Sequence, residues 1–270
     1  MNRRSLVSLL LVFPLSALPA AGQDGANAKA IQRVLQETAL VPSLYARHQG
    51  EPNLKGMPKV AAKKLAAYTL DDAETADKEK RRWLSDRERY QKNYPIRAAI
   101  FDAMAEMEAV EKLKLRVSLL GLPITPKVKT ALLQEQAPIG LAIFRLEQVL
   151  ARMREADALR KQEKNRRWLL NFDFARTRIE SNLIFLYEYN FTLGTIRADK
   201  LPELRPGDAG WRITFHPILH VTEGKVKQFA RERAKRLQRF REEHAGTPWA
   251  YVADIEGGRL LGMMWAPAKE

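Results

Sequence analysis

The sequence predicts an all-α protein: long antiparallel helices in a bundle or an elongated helical domain, with a short extended strip and a C-terminal helical hairpin. Three observations carry this. Apolar residues recur at helical spacing over most of the chain. Helix start signals, Pro95, Pro126 and the pair Thr247-Pro248, stand ahead of those runs. Only one stretch, 211–221, alternates in the manner of a strand, and loosely (Trp211, Ile213, Phe215).

The chain begins with a short basic segment, Arg3 and Arg4, and an apolar run from Leu6 to Leu18 interrupted by Pro14. Ala20-Ala21-Gly22 follows, with small residues suited to cleavage before Gln23. This is the layout of a secretory signal peptide, and the apolar heart is shorter than the ~20 residues a bilayer span needs. The expectation is an exported chain, periplasmic or extracellular after cleavage. No transmembrane segment is expected in the mature part, which divides into a helical domain at 23–198, an irregular connector at 199–224 and a hairpin with its tail at 225–270.

Composition supports a folded soluble chain, with 46% apolar and 29% charged residues in 270. The formal charge is +14, and residues 1–22 contribute two bases and no acid. The remainder keeps about +12, which favours anionic partners. Cysteine is absent, so disulfides, thiolate metal sites and a cysteine nucleophile are excluded together.

Along the mature chain, residues 27–41 read as a short helix, 51–58 as a Pro/Gly loop and 58–67 as a second helix. Asp71 with Glu74 resembles a capping box ahead of a charged helix to about Asn93. Pro95 opens a helix whose apolar stripe runs Ile96, Ile100, Met104, Met107, Val110, Val117 and Leu120, up to a break at 121–126. A helix from Pro126 should reach about Ala137, where Pro138 breaks it or starts the next. Residues 139–198 form either one rod of ~90 Å or two helices parted near Asn165. The basic segment 225–243 follows Gly224, and Gly246 suits its end. The apolar tail, Leu260 to Trp265, needs burial.

No catalytic motif is present. The four histidines include His216 and His220, but these bracket Pro217, and HExxH is missing. The serines beyond residue 22 are Ser43, Ser85, Ser118 and Ser181, none in a nucleophile elbow. Gly-rich phosphate loops and paired Glu-x-x-His motifs are absent, and no cofactor or metal is expected. Asp173, Glu180 and Glu188 lie along an apolar helix, where they either titrate abnormally or pair with arginines such as Arg176 and Arg178. The run 183–193 is apolar on nearly all sides, as in a central core helix.

Segment 225–241 carries eight bases and one acid, Glu232. Lys225, Lys227, Arg231, Lys235, Arg236 and Arg239 are the candidate anion-binding residues. Aromatics do not interleave with them on the charged side, so a stacking platform for single-stranded nucleic acid is not indicated.

Two stretches carry a resemblance: 166–204, followed by Gly210-Trp211-Arg212, and 243–267, which holds His244-Ala245-Gly246-Thr247-Pro248-Trp249-Ala250 and Leu261-Gly262-Met263-Met264-Trp265. They resemble helical regions of uncharacterised exported bacterial proteins, which in some members follow a von Willebrand factor A domain. This chain has no Asp-x-Ser-x-Ser motif, so metal-dependent adhesion is not implied. The turn at 246–250 is also similar to a junction of tetratricopeptide-like repeats, though one turn makes no array.

The expected function is a non-catalytic scaffold or protein-interaction module of the cell envelope. Two alternatives stand beside it. One is binding of an anionic polymer or membrane surface through 225–241. The other is an enzyme with an acid–arginine site around Glu180 and Glu188.

Overall fold

The computed structural model describes residues 68, 75–121, 123–221 and 224–269. The signal peptide, the helices expected at 27–41 and 58–67, and the Asp71/Glu74 start lie outside these residues. Among the described residues the protein is mostly helical, with seven α-helices and one small antiparallel sheet.

The charged helix expected up to Asn93 is two helices, α1 (Ala76–Ser85) and α2 (Arg87–Asn93). Asp86 separates them, and its side chain accepts the Arg89 N–H at 3.0 Å as an N-cap. Helix α3 (Pro95–Glu111) begins at its proline and buries Ile96, Ile100, Met104, Met107 and Val110. It stops well before Leu120. Val117 and Leu120 are not part of its stripe, because residues Ser118–Leu120 form strand β1.

Helix α4 (Pro126–Asp157) is capped by Thr125, which accepts from the Val128 N–H at 3.3 Å. It runs through Pro138 without stopping, contrary to the break expected there. Pro138 removes one backbone donor, but both it and Gln134, whose carbonyl loses its partner, are exposed, so water can replace the lost bond. A 3₁₀ turn at Arg160–Gln162 then separates α4 from α5 (Arg166–Arg197). Asn165 caps α5 by accepting the Arg167 N–H at 2.9 Å. The alternative with two helices is therefore the observed one.

Helix α5 is the centre of the fold. It packs against α3, α4 and α6 (Gly224–Glu243), and its apolar residues from Trp168 to Ile196 are almost all sealed from water. Full burial of one such side chain is worth roughly 1.5–3 kcal/mol. Helix α7 (Pro248–Gly258) starts at Thr247, which accepts the Ala250 N–H, and packs on α6. Tyr68, Leu170, Phe174, Leu237, Phe240, Trp249 and Ala253 form a second apolar cluster between α5, α6 and α7.

The extended strip is strand β2 (Gly210–His216), the middle of a three-stranded sheet ordered β1-β2-β3. The tail supplies β3 (Gly262–Ala268), paired so that Ile213 faces Trp265. The all-α reading thus needs this small sheet added. Gly210 has φ of 152°, and a Cβ there would lie 2.0 Å from the Leu119 carbonyl oxygen, so only glycine lets β1 approach. The sheet is tied to α5 by Trp265, whose indole N–H donates to the Thr192 carbonyl at 2.9 Å.

Candidate functional site

Two acids of α5, Asp173 and Glu180, meet the neighbouring elements as ion pairs. Asp173 is gripped by Arg160 at 2.8 and 2.5 Å and by Arg239 at 3.2 Å. Glu180 is sealed from solvent and receives Arg236 at 3.0 Å, with the Arg176 Nε 3.5 Å away. Burial raises the Glu180 pKa, and Arg236 and Arg176 oppose that rise. Glu188 has a different task. It accepts the backbone N–H groups of His220 and Val221 at 3.1 and 2.6 Å and so anchors the chain after β2. All three carboxylates are buried and committed to structural contacts.

Three further buried groups meet where α5, α6 and α7 join, and the sequence did not single them out. Arg233 Nε donates to Ser181 Oγ at 2.7 Å, and another of its nitrogens donates to the Glu256 carbonyl oxygen. Ser181 Oγ lies 3.4 Å from the Glu256 carboxyl. Burial pulls the Arg233 pKa down to about 10 and pushes Glu256 up to about 8, against the opposing pull of Arg259. The available signal was a polar side chain within each of two apolar helical runs.

A concavity of about 340 Å³ opens at the α4–α5 break, lined by Arg160, Arg166, Leu169, Leu170, Glu243 and His244. Its cations are engaged: Arg160 holds Asp173, and Arg166 lies over the Tyr68 ring, 5.0 Å from its centroid. His244 accepts or donates at 2.7 Å to the Tyr68 hydroxyl, and burial, with Arg166 adding to it, pulls its pKa down to about 4. Among the described residues, no group of three His, Asp or Glu side chains converges as a metal-ligand set.

The six candidate residues of α6 fall into three groups. Arg236 is buried against Glu180 and leaves the outer face, because its side chain points to the interface with α5. Lys225 and Arg239 are exposed but paired, Lys225 with Glu147 at 2.7 Å and Arg239 with Asp173 and Glu243. Lys227, Arg231 and Lys235 are exposed and make no hydrogen bond or ion pair with any described residue. At spacing i, i+4, i+8 they form one stripe. A shallow groove of about 280 Å³ runs beside them, lined also by Gly224, Gln228 and Glu232. Glu232 is neutralised there by Arg154 at 2.9 Å.

A stripe of three free cations can bind a multivalent anion. No protein-family model matches this chain, and neither a curated protein nor a solved structure matches it.

Proposed function

We propose that the protein is a non-catalytic, exported interaction module that engages a polyanionic surface of the cell envelope through the outer face of α6. The single observation behind this reading is the unpartnered stripe Lys227, Arg231 and Lys235. On α6, Lys225, Arg236, Arg239 and Arg241 are each held by an acid and Arg233 by Ser181 and the Glu256 carbonyl, whereas these three serve no contact among the described residues. Their charges act together on anything outside the fold. The enzyme alternative loses its support, since Glu180 and Glu188 are buried in structural contacts and neither lines the two concavities described above.

The test is retention on immobilised dextran sulfate across a salt gradient. Changing Lys227, Arg231 and Lys235 together to Gln should weaken retention by about tenfold or more, at roughly fivefold per cation held at an anionic surface. A control of equal charge, Lys92, Lys112 and Lys114 to Gln, should weaken it far less. Equal losses in the two variants would reduce the effect to net charge and sink the reading.

A further inference from the structure

The outer face of α4 carries three large exposed apolar side chains. Leu133, Leu141 and Phe144 are 53%, 51% and 58% exposed. Their spacing places them on one side of the helix over about 16 Å, and the exposed residues that share this arc, Ala137 and Gly140, are too small to cover them. Single exposed leucines need no explanation, but three large apolar groups aligned on one face do.

The charge around this stripe is one-sided. From Pro126 to Arg154 the acids are Glu135 and Glu147, and both are paired, with Arg116 and with Lys225. Lys127 and Arg145 are exposed and have no partner among the described residues. The contact between Glu147 and Lys225, at 2.7 Å, also sets the first turn of α6 less than one helical turn beyond Phe144. Glu147 in turn accepts from the Tyr187 hydroxyl at 2.8 Å, which fixes that junction to α5. The apolar stripe therefore leads into the helix that bears the free cations Lys227, Arg231 and Lys235.

We propose that this composite face docks the protein on an anionic phospholipid bilayer. Leu133, Leu141 and Phe144 enter the headgroup–acyl boundary while Lys127, Arg145 and the α6 stripe meet lipid phosphates. The proposal rests on the polyanion reading of α6 and names its ligand. A second copy of the chain is the poorer occupant. A two-fold contact through this stripe would bring the unpaired Lys127 and Arg145 of each copy toward the same patch on the other. An anionic lipid surface meets those charges with opposite ones. Among the described residues no helix is long and apolar enough to cross a membrane, so the contact is with the surface.

The experiment is sedimentation of the protein with vesicles of phosphatidylcholine mixed with phosphatidylglycerol, alongside the dextran sulfate column. Leu133, Leu141 and Phe144 changed together to Gln should lower vesicle binding by about tenfold or more while leaving dextran sulfate retention as in wild type. The residues being more than half exposed, circular dichroism and thermal melting should not change. As an independent readout, Phe144→Trp should gain fluorescence over the native tryptophans that brominated phosphatidylglycerol chains quench.

Undiminished vesicle binding by the Gln variant would overturn insertion and leave the polyanion reading intact. So would a Phe144→Trp protein whose added fluorescence stays unquenched when bound. Unchanged dextran sulfate retention by the Lys227/Arg231/Lys235 variant would instead remove the reading beneath it. A wild-type dimer in light scattering that the apolar variant turns to monomer would assign the stripe to self-association and also overturn the proposal.

Discussion

Arg160 clasps the Asp173 carboxylate through both terminal guanidinium nitrogens, at 2.8 and 2.5 Å. Arg160 belongs to the short turn that separates α4 from α5, and Asp173 lies two turns into α5. The pair thus closes the corner between the two longest helices, and Arg239 ties α6 to the same carboxylate. Asp173→Asn keeps the shape but leaves two guanidinium groups without their counter-charge. Removing one member of a buried pair costs about 3–5 kcal/mol. Arg160 and Arg239 can both regain some water, so about 3 kcal/mol, the lower end of such losses, is expected. Urea unfolding with an unchanged slope would read it directly, and a wild-type midpoint would refute the role.

The same reasoning separates the cations of α6. Arg236→Gln deprives the sealed Glu180 of its hydrogen-bonded counter-charge, leaving the Arg176 Nε 3.5 Å away, and should destabilise the fold by about 3 kcal/mol. Lys227→Gln, Arg231→Gln and Lys235→Gln touch no internal contact and should each stay within about 0.5 kcal/mol. Thermal melts of the four variants check this ordering. A stripe variant as unstable as Arg236→Gln would mean that the stripe serves the fold and not an external partner.

These contrasts show how far the sequence could be read. Pro95, Pro126 and Thr247-Pro248 mark helix starts where they stand, because capping is decided within four residues. Pro138 misleads, since its cost depends on whether the freed carbonyl meets water, which is a property of the packed helix. Val117 and Leu120 fit a helical stripe by spacing alone, but Leu119 is the residue sealed in the core, and the pairing of Ser118–Leu120 with Gly210–Arg212 decides the matter from about 90 residues away. The candidate site divides likewise. Eight bases on one segment are plain in the sequence. Arg233 and Arg236 turn inward only because Ser181 and Glu180 wait on α5.

His244 should remain neutral through the whole physiological range. Burial pulls its pKa down to about 4, Arg166 and Arg160 add to that, and Asp173 opposes. Below about pH 6.5 the unfolded chain therefore binds a proton that the folded chain does not. Stability contributed by neutral His244 is complete above about pH 6.5 and is lost as pH falls toward 4, a loss of about 2–3 kcal/mol. Nuclear magnetic resonance of the imidazole should show no titration between about pH 5 and 8. A midpoint near the ordinary histidine value would contradict the buried contact with Tyr68.

Glu256 produces the opposite slope. The carboxyl is buried at the α5–α6–α7 junction beside Ser181, Arg233 lies over its backbone, and burial raises its pKa to about 8 against the pull of Arg259. Between about pH 4.5 and 8 the folded chain then holds a proton that the unfolded chain has released. Stability is highest on the acid side of that window, falls as pH rises through it and becomes level above about 8, with a total on the order of 5 kcal/mol. Glu256→Gln imitates the protonated carboxyl and removes that dependence. The variant should match wild type near the acid end of the window, exceed it at about pH 9, and leave the His244 slope in place. Equal urea midpoints for the two proteins at that alkaline pH would mean that Glu256 is ionised at no cost, and that Arg259 neutralises it fully.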